Sequence, residues 1–254
     1  MTPSRTLPSK LPEITLAFWI MKICATTLGE TAGDLLSMTL KVGYAASSML
    51  LLGIFFITLG AQLRSKTYNP LLYWAVILST STAGTTLSDF MDRTLGLGYA
   101  TGSTILASLL CAVLVYWKLS QKSLSIANVR SGKQELLYWG AILVSNTLGT
   151  ALGDFLADSS GLGFAGGALL IASLIALIVA AYYLTGISRV GLFWMAFVLT
   201  RPLGATGGDL LTKPISAGGM NLGTAGASAV LLAALLITIG YTSWQARRGA
   251  MQSA

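Results

Sequence analysis

Apolar runs close to 20 residues long recur along the whole chain, separated by short polar linkers. A helix needs about 20 residues to cross the roughly 30 Å hydrocarbon core of a bilayer. The runs predict eight spans, approximately 14–36, 45–63, 70–91, 100–118, 135–157, 165–185, 190–211 and 223–243. Polar positions divide these spans into two kinds. The even-numbered ones, such as TILASLLCAVLVYW, are apolar all round and suit a layer that faces lipid. The odd-numbered ones turn polar halfway, as where ELLYWGAILV at 135–144 runs on into SNTLGTALGDF. The fold class expected from this pattern is an all-α polytopic membrane protein, a single transmembrane domain over residues 1–254.

The polar halves recur with a fixed layout. Trp19, Trp74, Trp139 and Trp194 each precede a glycine by ten residues (Gly29, Gly84, Gly149, Gly204) and an aspartate by fifteen (Asp34, Asp89, Asp154, Asp209). A second signature follows: KVGYA, GLGYA, GLGFA and NLGTA, containing Gly43, Gly98, Gly163 and Gly223. The Asp-to-Gly gap is nine residues in the first three units and fourteen in the last, which carries an extra loop around Lys213 to Gly219. The chain therefore reads as four two-helix repeats, approximately 14–63, 70–118, 135–185 and 190–243. An even number of spans per repeat gives all four the same orientation, which predicts a pseudo-symmetric bundle about an axis along the membrane normal. The odd helices are expected to line its centre. The four Gly-x(4)-Asp units and their LGYA-like trailers resemble a bacterial family of uncharacterised multi-pass membrane proteins built from four copies of a repeat of unknown function. That resemblance covers nearly the whole chain and implies an inner-membrane protein, with no activity or functional residues attached.

Residues at i, i+3, i+4, i+7 and i+8 share one face of a helix. Counting from the seventh residue after each Trp gives four faces: Thr26, Gly29, Glu30, Gly33, Asp34; Ser81, Gly84, Thr85, Ser88, Asp89; Asn146, Gly149, Thr150, Gly153, Asp154; and Arg201, Gly204, Ala205, Gly208, Asp209. Lys22 extends the first by one turn. Every face is small or polar. The glycine pairs permit close helix approach, which is compatible with lining a pathway. A charge in mid-membrane costs at least ~2.5–3.5 kcal/mol unless it meets water, an ion or a partner. Two readings of the acids follow: they end the polar turns near the outer surface, or they hold a cation or proton. Glu30 is the natural partner for Lys22 or Arg201, because the other repeats have Thr85, Thr150 and Ala205 at its level. That irregularity, with Pro202, argues against four equal ligands.

Only 10% of the 254 residues are charged, against about 25% in a soluble domain. The net charge of +7 reflects topology, not nucleic-acid binding. Eleven of the 16 cations (Arg5, Lys10, Arg64, Lys66, Lys118, Lys122, Arg130, Lys133, Arg189, Arg247, Arg248) fall in linkers on one side, and Lys41, Arg93 and Lys213 fall on the other. The positive-inside rule then places both termini in the cytoplasm, with the polar N-terminus read as a retained tail. The chain has no histidine, and Cys24 and Cys111 lie off the polar faces and read as packing residues. Carboxylates, hydroxyls and the Asn146 amide are hard oxygen donors, suited to Mn²⁺, Mg²⁺, Ca²⁺, Na⁺ or H⁺.

The function expected from these residues is transport of a hard cation, a manganese-like divalent exported in exchange for protons. Glu30, Asp34, Asp89, Asp154 and Asp209 would bind it, metal included. Lys22, Thr26, Ser81, Thr85, Asn146, Thr150 and Arg201 would line its path. The alternatives are a pseudo-tetrameric cation channel with an acidic outer ring, and a non-transporting membrane subunit whose stripe seals helix contacts. No hydrolase, metalloprotease or phosphate-loop motif points to an enzyme. No cofactor is implied beyond the transported cation, the partners are the bilayer and that cation, and oligomeric state is left open.

Overall fold

The computed structural model describes residues 10–126, 129 and 132–252. Arg5 and Arg130, two of the cations used to orient the chain, lie outside these residues. Among the described residues there are eight α-helices and no strand: α1 Leu16–Asp34, α2 Tyr44–Arg64, α3 Pro70–Asp89, α4 Tyr99–Gln121, α5 Gly132–Asp154, α6 Gly163–Leu184, α7 Arg189–Thr212 and α8 Thr224–Gln252.

Local sequence explains where these helices start and stop. The Thr15, Asn69 and Ser188 side chains accept bonds from backbone N–H groups of the first turns of α1, α3 and α7. Pro70 opens α3, where its missing N–H costs nothing. After the aspartates of the first three repeats the helix widens into a π-helical turn, over Leu35–Thr39, Phe90–Thr94 and Phe155–Ser159. The repeated glycine of the second signature then takes a positive φ: +81° at Gly43, +71° at Gly98, +66° at Gly163 and +72° at Gly223. A residue with a Cβ rarely adopts that conformation, which is why the signature keeps glycine there. The fourth repeat has a folded-back loop in place of the π-turn, closed by Met220 N–H to Leu210 O, Asn221 N–H to Lys213 O and Leu222 N–H to Leu211 O. Helix α7 continues through Pro202.

The odd helices form an inner ring in the order α1, α3, α5, α7 and back to α1. The even helices lie outside it, each packed chiefly on the inner helix of the following repeat: α2 on α3, α4 on α5, α6 on α7, and α8 on α1. The two-helix sequence repeat is therefore not the packing unit. Each repeat is completed by its neighbour, and the outer layer closes only when α8 reaches α1.

Five segments are long and apolar enough to cross a membrane: α2, α4, α5 with its π-turn, α6 and most of α8. The four outer ones bury only 22% of their apolar stretch inside the protein, against 67% for the α5 segment. Helices α1, α3 and α7 do not belong to this group, because their polar faces dilute their hydropathy. Those faces are turned inward: every one of Thr26, Ser81, Thr85, Asn146 and Thr150 is fully buried. The distribution is that of a helical membrane protein whose polar residues are shared among neighbouring inner helices.

The repeated tryptophans pack on the inner bundle. Trp74, Trp139 and Trp194 are buried. The aromatic residue before each Trp meets the Trp of the next repeat, at centroid distances of 5.7 Å (Phe18–Trp74), 5.5 Å (Tyr73–Trp139), 6.3 Å (Tyr138–Trp194) and 5.7 Å (Phe193–Trp19). Eight rings thus close one end of the inner bundle, in the tilted and edge-on geometries aromatic pairs prefer. Tyr73 and Tyr138 join their hydroxyls at 2.7 Å within this belt.

Candidate functional site

The inner helices touch through their glycines, and the contacts repeat around the ring. A Cβ on Gly29 would come within 2.2 Å of Ser81, one on Gly84 within 2.9 Å of the Asn146 backbone, one on Gly149 within 2.3 Å of Arg201, and one on Gly204 within 2.6 Å of Thr26. The next turn repeats the pattern with Gly33 against Thr85, Gly153 against Ala205 and Gly208 against Glu30. In each case the glycine of one helix receives the residue three positions earlier in the repeat of the next helix. This close approach stacks equivalent residues in layers along the axis.

From the aromatic belt outward, the first layer holds Lys22, Ile77, Ile142 and Phe197, all fully buried. The Lys22 ammonium stands 4.2 Å from the centroid of Phe197 and has no hydrogen-bond acceptor among the described residues. The second layer holds Thr26, Ser81, Asn146 and Arg201. Here Asn146 donates to Thr80 Oγ1 at 2.9 Å and Thr26 donates to the Thr200 carbonyl at 3.1 Å, so both side chains tie adjacent helices together.

The Arg201 guanidinium reaches the centre of the third layer. Its Nη2 lies 2.9 Å from Glu30 Oε2 and 2.6 Å from Thr150 Oγ1, and also donates to Thr85 Oγ1. Its Nη1 donates to the Thr26 carbonyl at 3.4 Å. Thr85 and Thr150 in turn donate to Glu30 Oε2 at 3.2 and 3.3 Å. One guanidinium from α7 therefore binds α1, α3 and α5. Of the two cations placed by sequence beside Glu30, Arg201 takes it and Lys22 does not.

The fourth layer contains the four aspartates, each 2–4% exposed. They gather in pairs, each bridged by a cation from the next turn. Lys213 Nζ lies 2.8 Å from Asp34 and 3.1 Å from Asp209. Arg93 lies 3.0 Å from Asp89 through Nε and 3.1 Å from Asp154 through Nη2. Both cations keep some solvent exposure, 31% for the Arg93 side chain and 22% for that of Lys213. Burial by itself would lower the proton affinity of each. The Asp209 and Asp34 carboxylates outweigh it and hold the Lys213 ammonium above its ordinary value, and Asp89 and Asp154 do the same for Arg93.

These two bridging residues are missing from the site read from sequence, which placed them among outer loops as topology markers. A signal was present. Each follows its own aspartate by four residues, one helical turn, whereas the first and third repeats have Met38 and Asp158 there. Alternation of cationic and non-cationic repeats reduces the fourfold pattern to a twofold one. Sequence reading also passed over Glu135, buried beneath the aromatic belt and paired with Lys10 at 2.9 Å.

The two halves of the acidic layer differ. Glu30, Asp34 and Asp209 each present a carboxylate oxygen within 4.8 Å of the others, an arrangement of hard oxygen donors that could surround a cation. Asp89 and Asp154 instead grip a planar guanidinium, flanked by the Tyr44 and Tyr99 rings at 5.9 and 5.7 Å.

The family model described as Repeat of Unknown Function (DUF347) matches the chain four times, over residues 17–68, 72–123, 137–188 and 192–248. No curated protein and no solved structure matches it.

Proposed function

The chain belongs to the family of that repeat, and we propose that it is an eight-span carrier for a hard cation of the Mn²⁺ type, exchanged for protons. In this reading both termini face the cytoplasm of a bacterial inner membrane. The carboxylates Glu30, Asp34, Asp89, Asp154 and Asp209 hold the ion, and the threonine, serine and asparagine layers lie on its route.

The observation that carries the proposal is the charge of the axis. Five buried carboxylates face three cations that bridge them, Arg93, Arg201 and Lys213. Counting the unbridged Lys22 as charged still leaves more acids than bases. Uncompensated charge inside a membrane protein is costly, and a bound cation or protons on the acids would remove the imbalance. The Arg201 knot closes the axis beneath the acidic layer, which favours a carrier with one accessible side over an open channel. The acids are approached from the end where Arg93 and Lys213 keep their exposure.

One observation favours a second reading. Each aspartate already has a protein cation, as expected of a non-transporting subunit whose polar stripe only seals helix contacts. Flux measurements separate the two. In proteoliposomes with Mn²⁺ on one side, the wild-type protein should move the ion and acidify or alkalinise the lumen in step. Asp34→Asn or Asp209→Asn, and likewise Asp89→Asn or Asp154→Asn, should abolish this while the protein still inserts. Full transport by the combined aspartate variants, or none by the wild type with any hard cation, would reject the carrier.

A further inference from the structure

A cavity of about 560 Å³ opens on the outside of the bundle, well away from the acidic layer. Its walls come from the first turns of α1, the linker at 124–126, the second half of α6 and the first half of α7. The volume falls within the roughly 300–1,000 Å³ of typical ligand sites. The lining is mainly apolar, with Thr15, Ser125 and Thr200 among its polar members. Trp19, Ile23, Ile178 and Phe193 form its floor and sides, and the exposed Leu16 and Tyr183 stand at its rim. One charged residue reaches it, Arg189, at the start of α7. Its guanidinium rests 4.2 Å from the centroid of the Tyr182 ring and donates through Nη1 to the Tyr182 carbonyl, and the residue is exposed, which leaves its other N–H groups for a ligand. The linker wall is fixed by the Trp194 indole, which donates to the Leu124 carbonyl at 3.0 Å.

We infer that this groove binds one anionic phospholipid, with an acyl chain along Trp19, Ile23, Ile178 and Phe193 and its phosphate at Arg189. Three features select that occupant. A mainly apolar wall offers little to orient a polar solute, whereas hydrocarbon is its complement. The rim opens on the face that outer helix α6 presents to the bilayer, where acyl chains are at hand. The single guanidinium stands at the end of the bundle that carries the basic linkers, and a basic pocket between spans on that side matches an anionic headgroup.

The binding is independent of cation transport and is measured without it. Purified wild-type protein is equilibrated in micelles containing equal phosphatidylglycerol and phosphatidylcholine of the same chains, and retained lipid is counted by native mass spectrometry. The wild type should hold one lipid, favouring the anionic headgroup about fivefold, the contribution of one basic residue near an anionic surface. Arg189→Gln should keep the retained lipid and lose the preference. Ala196→Phe, which fills the groove, should lose the lipid whatever its headgroup. Equal retention of the two headgroups by the wild type overturns the inference, as does a folded Ala196→Phe variant that keeps its lipid. If that variant does not fold, the preference of the wild type against Arg189→Gln decides. A dimer that Leu16→Glu dissociates would give the groove to a second copy instead and likewise overturn it.

Discussion

Arg201 is the residue on which the inner ring converges. Its guanidinium satisfies Glu30 and meets oxygens on three other helices, with both charged side chains buried. Removing one partner of a buried pair leaves an uncompensated charge, at a cost of about 3–5 kcal/mol, whereas removing both can be nearly neutral. Arg201→Met should therefore lower the thermal midpoint sharply, and adding Glu30→Gln should restore much of the loss, as measured by a melting curve in detergent. Equal melting of the single and double variants would show that the pair is not coupled. Lys213 makes a different prediction. Its ammonium occupies the space between Asp34 and Asp209 that a bound cation would share. Lys213→Gln should increase the stabilisation that Mn²⁺ gives in the same melt, since ligand binding to the folded state alone raises the midpoint. A smaller shift than in the wild type would place the ion elsewhere.

The elements are held by steric fit between parallel inner helices, and the glycines mark where that fit is tightest. A Cβ on Gly84 would lie 2.9 Å from backbone atoms of α5, which cannot rotate away. Overpacking of this kind typically costs about 1–3 kcal/mol. Gly84→Ala should lower the melting midpoint, while Gly53→Ala and Gly240→Ala on the outer helices, with nothing within 4 Å, should leave it unchanged or raise it slightly. Similar losses at all three positions would mean that the inner contacts are looser than described. The stripe of small and polar residues was legible in sequence because helical periodicity fixes which residues share a face. The neighbour of each face was not, because the rotation of one helix against another leaves no local trace. The tryptophans illustrate the same limit. Their spacing is plain in the chain, yet only packing turns their rings toward the next repeat.

At the scale of the molecule, α8 completes the ring by packing on α1 as α2 packs on α3. A permuted chain that begins with α8 and joins its end to α1 preserves every such pairing. The corresponding link from α2 to α3 is short, running from Ser65 to Asn69. The permutant should fold as a monodisperse protein with a melting midpoint near that of the wild type, whereas deletion of α8 should leave α1 uncovered and cause aggregation on size exclusion. Aggregation of the permutant with a stable deletion would contradict the ring order.

The sequence by itself determined the number of repeats, the division into polar and apolar helices and the layers in which Glu30 and the four repeat aspartates lie. These follow from composition and from periods of a few residues, which act along one helix. Tertiary structure alone decided that outer helices serve the next repeat, that Arg201 and not Lys22 takes Glu30, and that Arg93 and Lys213 bridge the aspartates in pairs. Such partners stand 61 to 179 residues apart in the chain for Arg93–Asp154 and Lys213–Asp34. Their meeting depends on how four helices turn about a common axis, a property of the assembled ring and of no single segment.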